Sequence, residues 1–338
     1  MTPTLSQDQT VFKERLVIFL VGPTASGKTE VALALAPLLK ADIISADSRQ
    51  VYRGLDIGTA KADPLQRGRV THHLIDVVDP QELFSAGQYK KRAEEAIDGC
   101  HRDHRVPLVV GGTGLYIRVL KGGLWEGPGP DWNLREKFRM EEERGGEGTL
   151  HRQLLGVDPE SAKRIHPRDC VKIIRALEVY TLSGKTLTQV RLNHGFMKGR
   201  YQSLLLGLQW DREQLYRRIE ERVDKMLEKG LVGEVQGLID SNPHGEMPSL
   251  RALGYRQVIP YLMGKITLEE MTRILKRDTK RFAKRQLTWF RREQGVRWIH
   301  LEEDSEPETI ARQLYQIIQT YIQSNDPEVA LVERSIAC

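Results

Sequence analysis

Residues 22–29 read Gly-Pro-Thr-Ala-Ser-Gly-Lys-Thr, a G-x-x-x-x-G-K-[ST] loop, and directly follow the apolar run Leu16-Val17-Ile18-Phe19-Leu20-Val21. Such a run reads as a buried strand, and Val31, Leu33, Ala34 and Leu38 continue beyond the loop on a helix. Strand, loop and helix in this order form a phosphate-binding loop in its proper setting and commit the chain to an α/β fold. Gly22, Pro23, Thr24, Ala25, Ser26, Gly27, Lys28 and Thr29 are the expected ligand-binding residues. Their backbone N–H groups would form an anion nest, Lys28 a point charge for the distal phosphate, and the Thr29 hydroxyl a ligand for Mg²⁺. A diphosphate or triphosphate is expected, but kinases, hydrolases and other transferases share this loop, so the compound stays open.

The chain has 338 residues, 40% hydrophobic and 29% charged, which is ordinary for a globular protein and excludes disorder of the whole. No apolar stretch is long enough to span a bilayer, and residues 1–15 lack the apolar centre of a signal peptide. Cys100, Cys170 and Cys338 are too widely spaced for a zinc motif and odd in number, which suits a reducing cytoplasm. Lys and Arg number 51 against 46 Asp and Glu, a net charge of +5. The excess is local. Arg273, Lys276, Arg277, Lys280, Arg281, Lys284, Arg285, Arg291, Arg292 and Arg297 stand against Asp278 and Glu293 alone. At helical spacing Arg277, Lys280, Lys284 and Arg291 share a face, which suits either solvent or a phosphate backbone.

Apolar strand runs at 16–22, 42–46, 106–111 and 203–208 alternate with helical stretches at 28–40 and 88–104, the pattern of a parallel sheet covered by helices. Gly127-Pro128-Gly129-Pro130 opens a polar, helical segment that ends near Arg200. The expected organisation is a flexible arm at 1–15, a core at 16–125 and 201–325, a helical insertion at 126–200 and a tail at 326–338. Asp211 and Gln214 are placed to cap a helix whose apolar stripe is Leu215, Ile219, Val223, Met226 and Leu227, and the rest is expected to be mostly helical.

Asp47-Ser48-Arg49-Gln50 follows the second strand directly, on the sheet edge that carries the phosphate loop. There Asp47 is a candidate general base or holder of a metal-bound water, against the plainer reading of a turn cap. The third strand ends in Gly111-Gly112-Thr113-Gly114 rather than in an acid, which makes an ordinary ATP hydrolase less comfortable. Those glycines serve close ligand approach or close packing equally well.

Together, G-P-T-A-S-G-K-T at 22–29, D-S-R-Q-V-Y-R-G-L-D-I-G-T-A-K at 47–61, H-H-L-I-D at 72–76, G-G-T-G-L-Y at 111–116, I-R-A-L-E-V-Y at 174–180, G-Y-R-Q at 254–257 and A-K-R-Q-L-T-W-F-R at 283–291 resemble the tRNA dimethylallyltransferase family. The resemblance runs from about residue 16 to about 300. It implies a P-loop NTPase-like parallel sheet flanked by helices, with a helical insertion. It also implies transfer of a dimethylallyl group from dimethylallyl diphosphate, with Mg²⁺, to the exocyclic amine of adenine 37 in the tRNA anticodon stem-loop. By the same resemblance Asp47 is the base, Thr24 its hydrogen-bonding partner near the reacting groups and Lys28 the diphosphate cation. Arg256 looks like a second cation. Asp47, Ser48, Arg49, Gln50, Thr113, Arg135, Lys172 and Arg175 look like tRNA contacts, and a cytoplasmic monomer is expected. Val171-Lys172 departs from the Gln-Arg of the family pattern, and Lys172 lacks the planar fork of an arginine.

His72 and His73 invite a metal reading, but neighbours on a strand face opposite ways, and no Cys or acid is expected to complete the set. An ATP-dependent kinase with 126–200 as its lid remains the main enzymatic alternative. Prenylation of a free adenine nucleotide is disfavoured by the insertion and the basic helix. An RNA-binding GTP switch lacks its N-K-x-D motif, and an ATP switch leaves the Asp47 segment without a role.

Overall fold

The computed structural model describes residues 16–123, 127–193, 199–242 and 247–324. The expected N-terminal arm and C-terminal tail lie outside the described residues. The chain divides into two compact units, one formed by residues up to Lys121 and from Arg200 onward, the other by Gly122–Gly199.

The first unit is built on β1 (Leu16–Val21), α1 (Lys28–Leu39), β2 (Ala41–Ser45), α2 (Pro64–Arg69), β3 (His72–His73), α3 (Ala86–Arg102), β4 (Val106–Gly111) and α4 (Gly114–Gly122). The second holds α5 (Trp132–Gly145), α6 (Thr149–Val157), α7 (Pro159–Arg164), α8 (Cys170–Ser183) and α9 (Leu187–Asn193). The first resumes with β5 (Gln202–Trp210), α10 (Arg212–Glu228), α11 (Leu231–Ser241), α12 (Tyr255–Leu262), α13 (Leu268–Arg291), β6 (Val296–Leu301) and α14 (Pro307–Ser324).

The six strands form one sheet in the order β3-β2-β4-β1-β5-β6, all parallel. Every residue of β1 is buried, as a central parallel strand covered on both faces requires. On one face Leu16, Ile18 and Leu20 pack with Val31, Leu35 and Leu39 of α1 and with α14. On the other, Val17, Phe19 and Val21 pack with Tyr89, Ala93 and Ile97 of α3 and with α4. A satellite core around Val51, Leu55, Tyr255 and Leu275 holds the segment after β2 against α10, α12 and α13.

One strand departs from the sequence reading. The segment 296–301 is a strand, not a continuation of helix; Val296, Trp298 and Ile299 take sheet-forming positions beside β5, and Gly207 leaves room for the Trp298 ring. His72–His73 forms an edge strand paired to β2 by only two residues. Asp211 is the N-cap of α10 but makes no side-chain cap bond, and Gln214 Oε1 is buried without a partner among the described residues.

The second unit packs Phe138, Leu150, Leu154, Ile173 and Leu177 into its own core. Its buried carboxylate, Glu178, accepts from Arg135 Nε (2.7 Å), Arg135 Nη2 (2.8 Å), Arg175 Nη1 (2.5 Å) and Asp131 N (2.8 Å). Burial opposes ionisation here, but these donors hold the carboxyl below its ordinary value. Arg175 also donates to Pro128 O, and Lys172 pairs with Asp169 at the start of α8. Two of the three insertion cations expected to meet tRNA thus also build the unit's interior, and the third is held at a helix N-terminus.

Candidate active site

β1 ends at Val21, and the chain enters the loop before α1 through backbone that only the right residues tolerate. Ala25 and Gly27 both take left-handed φ values, 62° and 84°, which turns successive N–H groups inward. The loop is anchored from outside. Thr24 N donates to Gln286 Oε1 (2.8 Å), Trp210 Nε1 to Ser26 O (3.1 Å) and Arg218 Nε to Ala25 O (3.1 Å). Gln286 Nε2 then donates to Gly112 O (2.9 Å), so one buried amide ties the loop to the end of β4. Neither Gln286 nor the α10 arginines received a role from the sequence. The i, i+4 spacing of Arg218 and Arg222, beside the Leu215–Ile219–Val223 stripe, was the available signal.

A cavity of about 630 Å³ opens at this edge of the sheet, lined by Thr24 to Glu30, Asp47, Gln50, Lys61, Arg218, Arg222 and Gln286 among others. Gly22 and Pro23 stand behind the lining. A Cβ on Gly22 would lie 2.8 Å from Leu208 O, so that glycine serves packing against β5. Lys28 Nζ donates to Pro23 O (2.5 Å) and Ser26 Oγ (3.2 Å). Burial, then the Arg222 guanidinium, draws its ammonium down from 10.5 to about 8, opposed by Asp47. Arg222 donates to Thr59 O (3.3 Å), and burial lowers it from an ordinary value so high that it stays charged.

Asp47 lies two residues past β2. Its Oδ1 accepts from Arg49 N (2.8 Å), so the turn-cap reading holds for one oxygen, while the second carries no protein hydrogen bond among the described residues. Ser48 N donates to Thr113 Oγ1 (3.0 Å). Gln50 lines the cavity but spends its amide on Ser45 Oγ and the carbonyls of Thr59 and Ala60. Ser48, Arg49 and Thr113 lie outside the lining.

In the Gly111–Gly114 segment both readings apply, since Gly111 and Gly112 line the cavity and are also closely packed. A Cβ would stand 2.2 Å from Ala46 O at Gly111, 2.2 Å from Gln286 Nε2 at Gly112 and 2.1 Å from Trp289 Nε1 at Gly114. The cavity wall at 56–61 is clamped as well. Glu234 accepts from the backbone N–H of Asp56, Ile57 and Gly58 and from Tyr255 Oη (2.6 Å), while buried Lys61 bridges Asp56 and Asp76.

The expectation for Arg256 needs correction. It is exposed on α12, outside the cavity lining, in the field of Asp278. Its turn of helix instead presents Tyr255 and Gln257 inward, and the additional cations at the cavity include Arg218 and Arg222 of α10. Thr29 supplies a hard hydroxyl oxygen to the lining, the donor class that Mg²⁺ shared with a diphosphate takes.

His72 and His73 do face opposite ways. His72 lines the cavity, whereas His73 lies on the α3 side, where Asp42 and Cys100 converge on it. No Cys or acid was expected to complete a set with these histidines; β2 and α3 bring Asp42 and Cys100, 31 and 27 positions away, into contact with His73.

The family model described as IPP transferase matches residues 50–293. The chain belongs to that family. Among its relatives, this IPP transferase family member is 46% identical over 287 residues to a tRNA dimethylallyltransferase 2 of Geotalea uraniireducens, covering 85% of this chain and 93% of that one. It is 48% identical over 286 residues to the tRNA dimethylallyltransferase of Symbiobacterium thermophilum, covering 84% and 89%. The crystal structure of the full-length tRNA isopentenylpyrophosphate transferase of Bacillus halodurans superposes with a TM-score of 0.69 at 37% identity, covering 92% of this chain and 98% of that one. A eukaryotic dimethylallyltransferase acting on tRNA superposes at 0.78 with 26% identity, covering 93% and 80%.

Proposed function

We propose that this IPP transferase family member transfers a dimethylallyl group from dimethylallyl diphosphate to the exocyclic amine of adenine 37 in tRNA. The observation that carries the reading is one cavity that holds both a cationic anion loop, with Lys28 and Arg222, and a carboxylate with an unoccupied oxygen, Asp47. The donor's diphosphate lies on the loop N–H groups, with Lys28, Arg218 and Arg222 meeting its charge. The adenine N6–C1 bond forms as the C1–O bond to diphosphate breaks, and Asp47 takes the N6 proton that leaves a poor, ring-conjugated nucleophile. Thr24 stands at the loop's tip for a hydrogen bond near these atoms. Mg²⁺, held by Thr29 and the diphosphate oxygens, would neutralise charge building on the leaving group.

Gln286 fixes the loop against β4, and Glu234 fixes the opposite wall, so the charged groups meet the substrate without reorganising. The helical unit of Gly122–Gly199 and the basic face of α13 are assigned to the anticodon stem-loop, in a monomer acting in the cytoplasm. The assay incubates protein, Mg²⁺ and either dimethylallyl diphosphate or ATP with unmodified tRNA or AMP, then digests and weighs the adenosines. One added C₅H₈ unit, from dimethylallyl diphosphate into tRNA only, is expected. Phosphorylated product from ATP would favour the kinase reading, and modified AMP the free-nucleotide reading.

A further inference from the structure

On the sheet face opposite the cavity, three side chains from three elements meet: Asp42 at the start of β2, His73 in β3 and Cys100 near the end of α3. Their ligand atoms all lie within 4.8 Å of one another. His73 Nε2 is 3.2 Å and Cys100 Sγ 3.8 Å from the same Asp42 Oδ2. Zinc bonds of about 2.3 Å to sulfur and about 2.0–2.2 Å to nitrogen or oxygen give tetrahedral ligand-to-ligand edges of roughly 3.3–3.7 Å. The two edges that meet at Asp42 Oδ2 lie on either side of that range, and closing the His73–Cys100 edge from within 4.8 Å brings all three atoms onto one centre.

We propose that Asp42, His73 and Cys100 form a three-ligand site for a zinc-class divalent cation, with water at the fourth position. The outer shell supports it. Arg105 Nε donates to the other Asp42 oxygen (2.5 Å) and its Nη2 to Ala41 O (3.0 Å), which fixes the carboxylate with Oδ2 toward His73 and Cys100. An entry path exists: the His73 side chain is 33% exposed, whereas those of Asp42 and Cys100 are buried. A sulfur and an imidazole among the donors select a borderline metal over Mg²⁺. Binding displaces the thiol proton, which burial and the Asp42 carboxylate otherwise hold in place.

The site would do structural work where the sheet is weakest. β3 pairs through two residues, and the chain leaving it carries Asp76, which bridges Lys61 and Arg67 at the cavity wall. A metal joining β3 to α3 would therefore stiffen that wall from behind without entering the reaction.

The test titrates Co²⁺ into the reduced, chelator-treated full-length protein. One equivalent is expected to bind with a thiolate-to-cobalt charge-transfer band that Zn²⁺ bleaches and Mg²⁺ does not, and Zn²⁺ should raise the melting temperature. Cys100→Ser should abolish the band and Cys170→Ser should leave it. His73→Gln, at the exposed ligand, should weaken Zn²⁺ binding on the order of 100-fold. This second variant decides the matter if the buried Cys100→Ser fails to fold. No thiolate band in the wild-type protein, a band that survives Cys100→Ser, or unchanged affinity in His73→Gln would show that the three groups only hydrogen-bond one another.

Discussion

Lys28 faces two opposed demands, because the burial that sharpens its attraction for a phosphate also disfavours its charge. With its ammonium drawn down to about 8 in the free protein, a rise in pH through that value removes the proton a bound diphosphate needs. Affinity for dimethylallyl diphosphate should therefore be flat below about pH 7 and fall about tenfold per unit above pH 8, read by calorimetry. Lys28→Met should bind weakly and lose this dependence. Glu178 makes the opposite case. Its folded carboxyl is depressed, so its contribution is present above the ordinary carboxylate range and is lost as pH falls through the folded value. Glu178→Gln leaves two guanidinium groups facing a neutral amide and should cost about 3 kcal/mol at neutral pH, a gap that narrows on acidification in urea melts. The motif around Lys28 was legible because the loop is contiguous. Gln286 was not given its role because its partners, Thr24 and Gly112, are 262 and 174 positions away.

At the scale of elements, α13 separates into two halves that its charge run alone does not distinguish. Lys276 and Lys280 are bound to Asp224 and Glu220 of α10, so part of the basic excess holds two helices together. Lys284, Arg285 and Arg292 instead line a groove with Arg118 and Trp289, where the Arg118 guanidinium lies 4.3 Å from the indole centroid. Neutralising Lys284, Arg285 and Arg292 together should reduce the log–log salt slope of tRNA binding by roughly 0.7–0.9 for each tRNA phosphate that they neutralise. Neutralising Lys276 and Lys280 should lower stability and leave the slope unchanged. A slope unchanged from the wild type in both variants would return the whole helix to solvent. The long central strands and α10 were readable from continuous apolar runs and a clear stripe. β6 was not, since it is recognisable only by its place beside β5.

For the whole molecule, the chain splits into two compact units, and the helical one is proposed to bind tRNA. Replacing residues 130–198 by a short linker should weaken tRNA binding severely while leaving donor binding measurable by calorimetry; undiminished tRNA affinity would remove the helical unit from recognition. The Gly127-Pro128-Gly129-Pro130 run, read as the entry to an insertion at 126–200, falls within the compact unit Gly122–Gly199. That Arg135 and Arg175 also close over Glu178 depends on which helix faces meet, which spacing alone does not state. In the proposed reaction the cavity beneath the phosphate loop performs prenyl transfer with Asp47 as base. The most direct test of that assignment is the single-turnover rate of Asp47→Asn with tRNA and dimethylallyl diphosphate both saturating. The substitution keeps the shape and the Arg49 N–H hydrogen bond but cannot accept a proton, so the rate should fall by roughly two to four orders of magnitude with both affinities little changed. A near-normal single-turnover rate would contradict the account, and the proton would have to leave by another route.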